Sequence, residues 1–336
     1  PVTSAVFVRS CKRFSERSRV VLPEPEGPIS EVTLFSSTLN DTLRTAVRPA
    51  KDTATLLSRI AGGVRTVLAV PDVAVPAIVR MRTRRRMSTP SVMEKAQAEM
   101  TWLLSGVRTP EQIQKEALAY LERDTWRSEL RWHPKLVNYQ EVEGAAHLDA
   151  ARRLGRGVVI SFLHHGHYEG AMASVAHAHA PIHIAVSPTM IGPDAPRFLR
   201  QHVRTGIQGG NVAVNVGAGA KILAEVLAAG HPLAIATDVP GQTPVEFLGT
   251  PRLGSSGAAR LARGVNSPVI VMSAHCENGV VGLRLSEAVE PRDFEDDDAL
   301  LRFMVGSQEE AVLAWSAGYH EPSLRWGRMP AEAEPE

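Results

Sequence analysis

The residues best suited to chemistry lie in Gly157-Val-Val-Ile-Ser-Phe-Leu-His164-His-Gly-His-Tyr-Glu169-Gly170. An apolar run stops at a histidine, and a glutamate follows five residues later. An imidazole on the end of a buried strand is a rigidly aimed base, able to take a proton from a hydroxyl. Glu169 is expected to fix the tautomer of His164 and to stabilise its protonated form, the part a carboxylate plays in a Ser-His-Asp triad. His165 and His167 complete a His-x-His-x-Glu string with Glu169. That string, with His231 and Asp238 downstream, leaves open a zinc-dependent hydrolase that uses His165 and His167 as ligands.

The surrounding elements must hold these groups. Residues 157–163 read as a buried strand and 169 onward as a helix. Further strands are expected at 182–186, 211–216, 232–237, 245–248, 269–273 and 280–285. Helices are expected at 144–154, 194–205, 217–229, 255–264 and 298–316. This alternation predicts an α/β fold with a mostly parallel central sheet flanked by helices. Ligands of such sheets bind outside the carboxyl ends of the strands. His164 and Asp238 both fall at such ends. Upstream, Ser91 with Glu94 and Thr109-Pro110 with Gln112 mark two helix starts. These define a short helical N-terminal region that contains Trp102, Trp126 and Trp132.

The chain divides into residues 1–86, read as a poorly organised extension; 87–139, helical; 140–320, the sheet domain; and 321–336, a tail. The poor periodicity before Met87 suggests a native start at or near that residue, and the basic run Arg80–Arg86 lies at the boundary. Among 336 residues, 37 Lys and Arg nearly balance 36 Asp and Glu, so no nucleic-acid partner is expected. Two cysteines, Cys11 and Cys276, make no disulfide framework and suit a reducing compartment. No uninterrupted apolar run is long enough to span a bilayer, and no signal peptide is visible. A cytoplasmic location is therefore expected.

The spacing His164-x4-Glu169 resembles the signature of the lysophospholipid and glycerolipid acyltransferase superfamily. The blocks Val142-Glu-Gly-Ala-Ala-His-Leu148, Gly155-Arg-Gly-Val-Val-Ile160, Ala234-Ile-Ala-Thr-Asp238-Val-Pro-Gly241, Phe247-Leu-Gly-Thr-Pro251 and Leu253-Gly-Ser-Ser-Gly257 look like its lipid A late (lauroyl/myristoyl) acyltransferase branch. Phosphatidylinositol mannoside acyltransferases also belong there. The resemblance covers roughly residues 140–290. It implies transfer of a fatty acyl group from acyl-CoA or acyl carrier protein to a hydroxyl of a lipid or glycolipid. It also implies a peripheral position on the inner face of the cytoplasmic membrane and no metal or other cofactor.

On this reading His164 and Glu169 are catalytic, while Asp238, Ser255, Ser256 and Arg197 contact substrate. The chain departs from the branch in three places. Ser187-Pro-Thr stands where an arginine is usual, with Arg197, Arg200 or Arg204 as possible substitutes. A membrane-spanning N-terminal helix is missing. The aromatic and basic C-terminal motif is reduced to Trp315 and Leu324-Arg-Trp-Gly-Arg328. The departures leave room for a non-catalytic, lipid-binding relative. Against the zinc alternative, whose string resembles the His-x-His-x-Asp-His motif of the metallo-β-lactamase fold, Gly170 occupies the final histidine position. His177, His179 and His183 form a second histidine group, expected to serve at a helix end or the surface.

Overall fold

The computed structural model describes residues 70–327. Strands β1 (Glu141–Glu143), β2 (Val158–Phe162), β3 (His183–Val186), β4 (Val212–Asn215), β5 (Pro232–Ala236), β8 (Val269–Glu277) and β9 (Val280–Leu285) form a seven-stranded sheet. Its order is β1-β9-β8-β2-β5-β3-β4, parallel throughout except at the antiparallel β8–β9 hairpin. Strands β6 (Thr243–Phe247) and β7 (Thr250–Gly254) pair separately as an antiparallel hairpin. The strand expected at 245–248 therefore lies outside the main sheet.

The α-helices of six residues or more among the described residues are α1 (Val75–Met87), α2 (Pro90–Leu104), α3 (Pro110–Leu130), α4 (Ala145–Arg152), α5 (Tyr168–Ala178), α6 (Arg197–Gly206), α7 (Ala220–Ala228), α8 (Gly257–Val265), α9 (Asp297–Gly306) and α10 (Glu309–Ala314). Successive side chains of a strand face opposite ways, and β2 uses both faces. Val159, with Leu163 beyond the strand end, joins a core with Leu103 and Leu104 of α2, Leu121 of α3 and Leu301 of α9. Val158, Ile160 and Phe162 join a second core with Leu148 of α4 and Met172 and Val175 of α5. Burial on both faces is why the central strands β2 and β8 read as continuous apolar runs.

Four further sequence expectations change. Helix α1 lies within the stretch read as poorly organised and buries Val75 and Val79 against Trp126, Leu130 and Val137. Two of its arginines are engaged: Arg82 pairs with Glu129, and Arg86 Nη2 lies 2.6 Å from Asp124 Oδ2. Residues 1–69 lie outside the described part. Helix α2 begins at Pro90 behind Thr89, so Ser91 sits in its first turn and caps nothing. The expected helix over 298–316 divides into α9 and α10, because Gln308 turns inward and accepts a hydrogen bond from Leu163 N at 3.0 Å. By contrast, Thr109 and Gln112 form the reciprocal capping box at the start of α3. Part of the expected tail is also packed, since Trp326 is buried against Phe247 at a ring-centroid separation of 5.0 Å.

Candidate active site

Strands β2 and β5 are adjacent and parallel, with Phe162 paired to Ala236. His164 and Asp238 each follow that pair by two residues, so the register brings them side by side at the carboxyl edge of the sheet. His164 Nδ1 donates to Asp238 Oδ1 at 2.7 Å, and the His164 backbone N–H donates to Asp238 Oδ2 at 2.8 Å. Asp238 is fully buried, whereas the His164 side chain keeps 17% of its exposure. With Nδ1 bound to the carboxylate, Nε2 carries the lone pair. Burial lowers the His164 pKa and the Arg325 guanidinium adds to that, while Asp238 opposes both. The ring is thus held neutral and oriented, as a base requires.

The expected link between Glu169 and His164 is replaced by this one. Glu169 opens α5 with its carboxylate buried and turned toward α3, where Arg123 Nη2 donates to Oε2 at 3.0 Å. Asp238, read from sequence as a substrate contact, is instead the hydrogen-bond partner of the histidine. The reason is the strand register, which puts residue 238 beside residue 164 before any side chain from the next helix can reach it.

His165 and His167 turn away from His164. Both rings lie beside Trp315, with centroids 5.6 and 6.0 Å away, and His165 Nε2 donates to the Trp315 carbonyl at 2.9 Å. Burial pushes His165 down to about 4 and His167 well below the ordinary imidazole range. Position 170 admits no histidine, because a Cβ there would collide with the Val137 carbonyl. Among the described residues no three His, Cys, Asp or Glu side chains are placed to hold a metal ion. The second histidine group is dispersed. His177 stacks on Tyr139, His179 pairs with Asp149, and His183 faces His231 at 4.8 Å.

Of the other expected substrate contacts, Arg197 lies exposed at the start of α6. Ser255 accepts a hydrogen bond from Gly257 N at 3.4 Å. Ser256 is buried, and its hydroxyl accepts from Thr243 and from Arg260. Among the described residues none of these three is hydrogen-bonded to His164 or Asp238.

Several neighbours of the site carried little sequence signal. Tyr168 packs edge-on to His164 at 5.0 Å, with His320 stacked on Tyr168 and His202 of α6 against it, each at 5.4 Å. The segment 315–320 runs along the histidine loop. Gly166 N donates to Gly318 O at 3.0 Å, and His320 N donates to His164 O at 2.8 Å. Arg325 follows, its Nε donating to the His320 carbonyl at 3.1 Å. Trp315 and Leu324-Arg-Trp-Gly327, noted in the sequence as remnants of a C-terminal motif, are thus the available pointer to this wall, while Arg328 of that motif lies outside the described residues.

No protein-family model and no curated protein matches the chain. Among solved structures it is similar to the 1-acyl-sn-glycerophosphate (LPA) acyltransferase PlsC from Thermotoga maritima. The identity is 14%, the match covers 59% of this chain and 83% of that chain, and the TM-score is 0.36. Among the described residues no helix is long and apolar enough to cross a membrane.

Proposed function

We propose that the protein is an acyltransferase that moves a fatty acyl group from a thioester to a hydroxyl of a lipid or glycolipid. The observation that carries the reading is the buried Asp238 carboxylate on Nδ1 of a partly exposed His164. The acceptor hydroxyl attacks the thioester carbonyl while Nε2 of His164 takes its proton. A carbon–oxygen bond forms, the tetrahedral intermediate collapses, and the carbon–sulfur bond breaks. The imidazolium then returns the proton to the departing thiolate. Asp238 keeps Nδ1 protonated and stabilises the transient cation. No serine nucleophile and no metal enters the scheme. Acyl-CoA or acyl carrier protein is the donor, and Arg197 and Ser255 are assigned to the polar part of the substrates. The enzyme works peripherally on the inner face of the cytoplasmic membrane.

The test is thiol release from acyl-CoA or acyl carrier protein by the full chain, with and without a membrane lipid extract. His164→Ala and a chelator-treated sample run beside it. Acceptor-stimulated release that needs His164 and survives chelation is expected. Release that persists in His164→Ala, or no stimulated release from either donor, overturns the reading. Loss on chelation points instead to the zinc hydrolase.

A further inference from the structure

Arg123 sits on α3, outside the sheet domain, with 8% of its side chain exposed. Its Nη2 donates to two groups of the histidine segment. One is the Gly166 carbonyl, in a turn with φ of +70°, and the other is the Glu169 carboxylate, at 3.0 Å. Nε and Nη1 of the same guanidinium are buried without a hydrogen-bond partner. Arg127, one turn along α3, has its Nε 4.0 Å from Glu169 Oε1. A buried ion pair is a weak source of stability, since an apolar pair of similar volume is often as stable or more so. A guanidinium with two unmet donors is a still poorer brace. The contacts it does make lie two and five residues after His164.

We propose that Arg123 is a positioning residue for His164, acting from the helical region through Gly166 and Glu169. It fixes the turn that aims the imidazole, and it cancels the charge that Glu169 would otherwise project on the ring. The charged and titratable groups facing His164 are Asp238 beyond β5, Arg325 from the C-terminal segment, Glu169 and Tyr168 on α5, and His202 on α6. Glu169 favours the imidazolium. Neutralising it alone leaves Arg123 uncompensated and disfavours the imidazolium. Neutralising both restores the original balance.

The kinetic part of the proposal rests on the acyltransferase reading; the titration part does not. The experiment is an NMR titration of ring-labelled histidines in the full chain, with the His164 resonance assigned by its loss in His164→Ala. Variants are Glu169→Gln, Arg123→Gln and the charge-balanced double. The midpoint of His164 should fall in Glu169→Gln, rise in Arg123→Gln and return to the wild-type value in the double variant. If Arg123→Gln does not fold, the other two decide. A double variant that matches wild type supports the proposal, and one that matches Glu169→Gln overturns it. In acyl transfer, kcat of Arg123→Gln or the double variant should drop about tenfold to a hundredfold at unchanged KM for the thioester, the scale of a small misplacement of a catalytic group. Loss in proportion to folded protein alone would overturn the positioning role. A wild-type protein without transfer activity would sink the acyltransferase reading and leave the titration result standing.

Discussion

The imidazole of His164 depends on a carboxylate that has no exposure of its own and bonds both the ring and the backbone of the same residue. Asp238→Asn keeps the shape but presents an amide, whose N–H₂ favours the wrong tautomer. Transfer activity should fall about a hundredfold to ten-thousandfold, the range attributed to a positioned base, with little change in KM. Because burial holds His164 below the usual imidazole range, the acid limb of kcat/KM should lie below the ordinary value of about 6.5. A limb above that value would contradict a half-buried ring held neutral by its surroundings. At this scale the sequence was partly legible. A histidine after an apolar run and an aspartate after another were both visible, and parallel strands made their meeting foreseeable. The Arg123–Glu169 pair was not, because 46 residues separate the partners and neither has a local pattern that names the other.

The turn between β2 and α5 is the element on which the site hangs. Gly166 has φ of +70°, and a Cβ there would run into the Ala274 side chain on β8. Gly166→Ala therefore combines left-handed backbone strain of roughly 1–3 kcal/mol with a steric clash. The midpoint of chemical unfolding should fall accordingly, and residual activity should fall further than the folded fraction. A variant of wild-type stability would show that the turn relaxes freely. Thr109→Ala, at the capping box of α3, should cost about 1 kcal/mol and leave the titration of His164 unchanged. The same elements show where sequence patterns end. Two-sided burial made the central strands plain. The edge strand Glu141-Val-Glu143 is too short for a period, and Thr250-Pro-Arg-Leu-Gly254 has none. Helix α1 was hidden for a physical reason too: its two buried valines sit among arginines whose partners are on α3.

Across the whole molecule, the buried histidines couple stability to pH. Burial pushes His165 and His202 to about 4 and His167 well below its ordinary value. Unfolded histidines bind protons near pH 6.5, so between that pH and about 4 the unfolded chain holds more protons than the native one. Stability contributed by these rings is present above about 6.5 and is lost as pH falls toward 4. Each contributes a slope of at most about 1.4 kcal/mol per pH unit. Urea midpoints measured from pH 7.5 to 4.5 should fall steadily, and replacing His165 with an apolar residue should flatten the curve. A flat wild-type profile would mean that the rings are solvated. The histidine loop is bounded on one side by Gly318 and His320, which follow Gly166 and His164 by 152 and 156 residues and are delivered by the ribosome long after β2. A nascent chain can therefore complete its parallel sheet while the candidate centre still lacks a wall, and the base takes up its final setting only once that later segment has been made.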